Sequence, residues 1–203
     1  VVCEDAHPKL AAKIIASKGV RNMGQSCSSV NRVYVHESLH DAVVEELRKI
    51  AESQTIGDGL TDGSVDLGPM ATRGALEHVE AHVEDARSRG ATIVCGGKRP
   101  EGDSFANGNY YLPTIVTDLP EDARMLHEET FGPVVPFIRF SNLDDAIAKA
   151  NASDYGLVAY LFTRDYATTV KASEALEAGT VCVNHGAVNT NYGPYEGWKE
   201  SGF

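Results

Sequence analysis

Apolar and polar residues follow two patterns along the chain, one typical of helices and one typical of strands. Helical spacing recurs in five stretches, and six short β-branched or aromatic runs between them indicate strands. Asp5 and Pro8 predict a capped start for the first helix and Gly19 its end, while Gly90 closes the third helix. Helices that alternate with apolar strands predict one α/β domain over residues 1–203, in which helices flank a largely parallel sheet. The tail 186–203 predicts an ordered loop or a disordered end, and its aromatic residues favour order.

Composition narrows the classes of function. The chain has 203 residues, 42% of them hydrophobic, which is enough for a sizeable core. The net charge of -11 disfavours a nucleic-acid partner. No apolar stretch reaches the roughly 18 residues of a membrane span, and no secretory signal begins the chain. Four widely spaced cysteines without a C-x-x-C pair indicate reduced thiols and a cytoplasmic protein that does not bind a membrane.

Cys27 differs from the other cysteines in its neighbours. Gly24, Gln25 and the serines around it supply flexible backbone and hydrogen-bonding groups, as a reactive thiol requires. Cys95 and Cys182 lie in apolar strand-like runs and are predicted to be inert core residues. The alternative is that Cys27 also fills space in a core.

Two histidines have the spacing of a metal site. His78 and His82 lie at i and i+4 of the third predicted helix. The expected glutamate after the first histidine is displaced to Glu80, on another face, so we predict a solvated helix face and no metal site. The run GDGLTDG lacks the acidic spacing of a calcium loop and predicts a turn.

The stretch HEETFGPVVPF is a second candidate for function. Gly132 and Pro133 fix the backbone where a strand opens, and they present Glu129 and Phe131 together. Spacing alone leaves open whether this is a surface turn or a ligand contact.

Four motifs in order carry a family resemblance. They are G-Q-S-C at 24–27, E-T-F-G-P at 129–133, V-N at 183–184 and G-W-K-E-S-G at 197–202. Together they resemble the aldehyde dehydrogenase superfamily, specifically its catalytic domain, over nearly the whole chain. The stretch from Arg21 to Arg32 looks most like succinate-semialdehyde dehydrogenases.

The resemblance implies a mechanism. Cys27 would attack an aldehyde carbon to give a thiohemiacetal, which becomes a thioester after hydride passes to NAD or NADP, and water then hydrolyses it. The backbone N–H of Cys27 would help to hold the oxyanion. Glu129 would hydrogen-bond the nicotinamide ribose and Phe131 would pack beside it.

The resemblance also implies a substrate class. Arg21, six residues before the nucleophile, would lie in the substrate pocket, where a guanidinium favours an anionic aldehyde. The alternative is that Arg21 pairs with a carboxylate of the protein. Asn189 and Tyr195 match the substrate-anchoring loop, whereas Glu196 stands where the family commonly has glycine, and this leaves the exact substrate open.

The resemblance places the cofactor-binding domain, the general base and the oxyanion-hole asparagine outside these residues. We therefore expect a fragment of the catalytic domain, nearly inactive alone, from a parent enzyme that is a homo-dimer or homo-tetramer. Two alternatives are a self-contained cysteine hydrolase or acyltransferase that uses a histidine such as His185, and a non-catalytic assembly domain.

Overall fold

The computed structural model describes residues 1–188, 190–191 and 193–202. In these ranges the strands and helices alternate along the chain. The helices are α1 (Pro8–Gly19), α2 (His40–Ser53), α3 (Arg73–Ser88), α4 (Leu143–Asn151) and α5 (Tyr166–Ala175). The strands are β1 (Val33–His36), β2 (Thr92–Cys95), β3 (Thr114–Thr117), β4 (Val134–Phe140), β5 (Tyr155–Gly156), β6 (Val158–Leu161), β7 (Thr180–Val183) and β8 (Trp198–Lys199).

The main sheet has four strands in the order β1-β4-β3-β2. The pairs β1–β4 and β3–β4 are parallel, and β2–β3 is antiparallel with a bulge between Ile93 and Cys95. A parallel pair, β6–β7, continues this layer, because Val2 forms parallel bridges to both Val35 and Phe162. The prediction of an α/β fold with a largely parallel sheet is therefore confirmed.

Three clusters of buried side chains hold the helices on the sheet, the smallest of which joins Ala146 of α4 to Tyr34 of β1 and Phe140 of β4. Ile15 of α1, Leu47 of α2 and Val79 of α3 belong to one large cluster with the strand residues Val135 and Phe137. A smaller cluster joins α4 and α5 to β6 and includes Ile147, Leu161 and Ala172. The helices supply amphipathic faces to a shared core, as their periodicity predicted.

The predicted cap of α1 was wrong, although α1 begins at Pro8 and ends at Gly19 as predicted. His7, not Asp5, is the N-cap, and its ring accepts a hydrogen bond from the Leu10 N–H. The Asp5 carboxylate accepts instead from the Thr163 hydroxyl at 2.9 Å and the Arg164 N–H at 2.6 Å, which ties the start of the chain to the end of β6.

The tail contributes a short strand. β8 pairs with β5 in antiparallel fashion, Tyr155 opposite Lys199 and Gly156 opposite Trp198. The described part of the tail is thus attached to the domain. None of the helices in the described ranges is both long and apolar enough to cross a membrane.

Candidate functional site

A left-handed turn precedes Cys27. After α1 the backbone of Asn22, Met23 and Gly24 takes φ values of 55, 57 and 65°. Left-handed geometry costs an ordinary residue about 1–2 kcal/mol. Asn22 tolerates it, and the side chain of Met23 is buried, so packing offsets its strain. A Cβ on Gly24 would lie 2.0 Å from the carbonyl oxygen of Gly132, which means that the turn presses directly on the entry to β4.

Hydrogen bonds from residues on both sides of Cys27 fix the turn. Gln25 donates to the Asn22 carbonyl at 3.2 Å and accepts from the Ala71 N–H at 2.9 Å. After the cysteine, Ser29 donates to the Lys18 carbonyl at 2.8 Å, and the Tyr160 hydroxyl donates to the Ser28 carbonyl at 2.8 Å. The polar neighbours of Cys27 therefore brace the backbone on both sides of it.

Cys27 alone of the four cysteines is exposed, and all four lie in the described residues. Burial raises the pKa of Cys3 and Cys95 to about 11 and also raises that of Cys182. These three thiols are poor nucleophiles at neutral pH because the thiolate is the reactive form. Cys27 is thus the exposed thiol that its flanking residues indicated, whereas Cys95 and Cys182 are half-buried against the large cluster and are not the core residues that were predicted.

Tyr195 contacts the thiol. Its hydroxyl oxygen lies 3.4 Å from Sγ of Cys27. Burial, reinforced by the neighbouring sulfur, raises the pKa of Tyr195 to about 12, so the hydroxyl keeps its proton. It can therefore donate a hydrogen bond to a thiolate at Cys27.

Glu129 reaches the same site from the loop before β4. A cleft of about 370 Å³ is lined by Cys27 and Glu129, together with residues of β1 and β6. Phe131, two residues on, is 41% exposed and has a φ of 45°, a strained conformation for an aromatic residue. The two motifs that the sequence singled out, 24–27 and 129–133, are neighbours in the fold.

The loop that carries Glu129 rests on α3 through two histidines. His82 is fully buried, its Nδ1 lies 3.1 Å from the Thr130 hydroxyl, and its Nε2 lies 3.1 Å from the Glu128 carboxylate. His78 Nε2 donates to the Glu129 carbonyl at 2.9 Å. The prediction of a solvated face was therefore wrong for His82, because a loop distant in sequence covers that face of the helix.

These histidines do not form a metal centre with their neighbours. In residues 1–188, 190–191 and 193–202, no group of three histidine, cysteine or acidic side chains is placed to hold a metal ion. Asp58 and Asp62 of the GDGLTDG run accept hydrogen bonds from the backbone N–H groups of Leu60 and Ser64, as turn residues do.

The remaining predicted residues are less closely associated with the thiol. Arg21 is exposed at the start of the left-handed turn, does not line the cleft, and takes part in none of the ion pairs found within the described residues. Asn189 lies outside the described residues. His185 accepts the Ala187 N–H at 3.0 Å. Among the described contacts of the Cys27 sulfur there is no histidine.

Comparison with known proteins identifies relatives along the whole chain. A sequence model of the aldehyde dehydrogenase family matches residues 1–203. The chain is 40% identical to the NADP(+)-dependent succinate-semialdehyde dehydrogenase GabD of Escherichia coli K12 and covers 41% of its length. It is 37% identical to lactaldehyde dehydrogenase of the same organism, again over 41% of that protein.

A solved structure has the same fold. The crystal structure of succinate-semialdehyde dehydrogenase from Burkholderia pseudomallei superposes with a TM-score of 0.94 at 34% identity, and the match covers 100% of this chain and 41% of that one. The chain thus spans about two fifths of the length of the relatives that it matches.

Proposed function

Because the chain belongs to the aldehyde dehydrogenase family, we propose that residues 1–203 form the thiol-bearing catalytic domain of an NAD- or NADP-dependent aldehyde dehydrogenase. The observation that carries the proposal is the single exposed thiol, Cys27, in one cleft with Glu129. A nucleophile and a carboxylate from two motifs distant in sequence converge there. Residues outside 1–203 would hold most of the cofactor.

The chemistry follows from what a thiolate can do. Cys27 Sγ forms a bond to the aldehyde carbon, and the carbonyl oxygen takes the negative charge near the Cys27 backbone N–H. A bound nicotinamide cofactor would supply the acceptor for the hydride that leaves this carbon. The resulting thioester on Cys27 is cleaved by water to release the acid and regenerate the thiol. Tyr195 keeps its hydroxyl beside Sγ and stabilises the thiolate before attack and after release.

The loop before β4 has side chains suited to a nicotinamide ribose. Ribose hydroxyls need an acceptor, which the Glu129 carboxylate provides at the cleft. A nicotinamide ring needs a flat apolar surface, which the exposed ring of Phe131 provides. We assign these two residues to orienting the cofactor and not to proton transfer.

Arg21 directs the proposal towards an anionic aldehyde such as succinate semialdehyde. Arg21 is exposed at the start of the turn that precedes Cys27, outside the lining of the cleft, and none of the ion pairs described for residues 1–188, 190–191 and 193–202 uses it. A free guanidinium can bind a carboxylate through two hydrogen bonds. The named substrates of the relatives are both charged and uncharged, so the charge on Arg21 is the feature that favours an anion.

The test uses the full-length enzyme that carries these residues. Steady-state formation of NADH or NADPH is measured with succinate semialdehyde for the wild type, Cys27→Ser and the matched control Cys182→Ser. We expect a loss of kcat on the order of 10⁴-fold for Cys27→Ser, because the covalent route is removed, and near-normal rates for the control. Turnover by Cys27→Ser within tenfold of the wild type would contradict the proposal.

A further inference from the structure

His82 of α3 makes contacts that a packing residue does not need. Its ring is fully buried, yet both nitrogens have polar partners on the loop that carries Glu129. His78, one turn earlier on the helix, has its ring centroid 4.1 Å from that of His82 and donates to the Glu129 carbonyl. Three consecutive loop residues, 128, 129 and 130, are thus held by one face of one helix.

The protonation state of His82 fits a fixed orientation. Burial lowers the pKa of His82, so the ring is neutral at pH 7. A neutral imidazole donates from one nitrogen and accepts at the other. Since the Glu128 carboxylate can only accept, Nε2–H donates to Glu128 and Nδ1 accepts from the Thr130 hydroxyl. Glu128 is itself ionised, because Arg124 and His82 lower its pKa to about 2.

Close backbone packing joins α3, the loop before β4 and the turn before Cys27. A Cβ on Gly132 would lie 2.2 Å from Cγ2 of Val79, which shows how closely the loop lies against α3. On its other side Gly132 meets Gly24 of the nucleophile turn. Phe131 keeps its strained backbone between these anchors.

We propose that His82 is a positioning residue, which acts through Thr130 and Glu128 to set Glu129 and Phe131 at the orientation needed for the cofactor, with His78 as a second anchor. The inference rests on the proposed function, since it assigns Glu129 and Phe131 to the cofactor. It gives a role to the histidine pair that neither metal binding nor solvent exposure explains.

The test compares His82→Phe with Thr130→Val and with a control in the full-length enzyme. His82→Phe keeps an apolar ring but loses both hydrogen bonds, and Thr130→Val removes the hydroxyl donor. The control is His40→Phe, since His40 is also a buried histidine but lies on α2, where it contacts Asp41 and Phe137. KM for NAD(P)+, KM for the aldehyde and hydrogen exchange over 128–133 are measured for each.

We expect His82→Phe to raise KM for the cofactor about 5- to 30-fold, to leave KM for the aldehyde within twofold, and to speed exchange over 128–133. Thr130→Val should also raise KM for the cofactor and speed exchange over 128–133, by a smaller factor. His40→Phe should change none of them. Equal effects of His82→Phe and His40→Phe, equal changes in the two KM values, or no change in the cofactor KM would overturn the inference.

Glu129→Gln distinguishes a failure of the positioning role of His82 from a failure of the cofactor assignment of Glu129. If it raises the cofactor KM and His82→Phe does not, the cofactor assignment stands and the positioning role of His82 fails. If Glu129→Gln leaves the cofactor KM unchanged, the cofactor assignment of the proposed function fails, whatever exchange over 128–133 reports.

Discussion

Replacing Gly24 with alanine tests the contact between the two loops of the site. Gly24 has a φ of +65°, and a Cβ there would lie 2.0 Å from the Gly132 carbonyl oxygen and 2.9 Å from that of Gly19. Real Cβ atoms keep at least about 3.0 Å from such atoms, so either the turn before Cys27 or the loop before β4 must move by about 1 Å.

The magnitude comes from two separate penalties. A left-handed backbone costs alanine about 1–2 kcal/mol relative to glycine. Overpacking against backbone that cannot rotate away costs typically about 1–3 kcal/mol. We therefore expect Gly24→Ala to destabilise the domain by about 2–5 kcal/mol. A shift of 1 Å between the proposed nucleophile and the proposed cofactor loop should also lower kcat/KM by up to about 100-fold.

Gly74→Ala is the matched control. Gly74 lies in the first turn of α3 with nothing within 4 Å of its Cβ position. Alanine there should stabilise the helix by about 0.5–1 kcal/mol and leave the kinetics unchanged. Melting temperature and kcat/KM of the full-length variants are the measurements. If Gly24→Ala has the melting temperature and the kcat/KM of the wild type, the turn before Cys27 does not contact the loop before β4 as described.

Three further predictions follow from single contacts. Tyr195→Phe should slow alkylation of Cys27 by iodoacetamide about 2- to 10-fold, because the hydroxyl that donates to sulfur is lost, and an unchanged rate would count against that hydrogen bond. Arg21→Ala should lower kcat/KM for succinate semialdehyde about 10- to 100-fold and leave kcat/KM for butanal unchanged, and Arg21→Lys should have an intermediate effect. Equal losses of kcat/KM on both aldehydes would refute the role of Arg21. Burial lowers the pKa of His82, which is faced by Glu128, Arg124 and His78. Below about pH 6.5 the unfolded chain therefore binds a proton that the folded chain does not. As a result, the stability of the fold decreases as the pH falls. The melting temperature of His82→Phe should therefore depend less on pH than that of the wild type over roughly pH 5 to 7, and parallel curves would contradict this.

Local patterns predicted the elements well because their causes are local. The stretch LDDAIAKAN is one of the five with helical spacing, and the structure places a helix over Leu143–Asn151. The Asn142 side chain caps it by accepting from two backbone N–H groups. The cap of α1 was mispredicted because Asp5, a good capping residue, is occupied by partners from the end of β6.

The candidate site also has some features that depend on nearby residues and others that depend on residues distant in sequence. The polar neighbours of Cys27 indicated an exposed thiol, which depends on nearby residues. The burial of His82 depends on residues 128–130, and the contact of Gly24 depends on Gly132, so neither is visible in a local pattern. The sequence therefore indicated the exposed thiol but not the distant residues that pack against its turn and against the loop before β4. The available signal for the contact between the two motifs was a glycine within each of them, Gly24 and Gly132.

The most direct test is the chemical state of Cys27 during turnover. The full-length enzyme is mixed with succinate semialdehyde and NAD(P)+, quenched in acid within the first turnover, digested and analysed by mass spectrometry. We predict a succinyl thioester on the peptide that contains Cys27, and unmodified Cys3, Cys95 and Cys182. Turnover with no acyl group on Cys27, or with the acyl group on another cysteine, would contradict the assignment of Cys27 as the nucleophile.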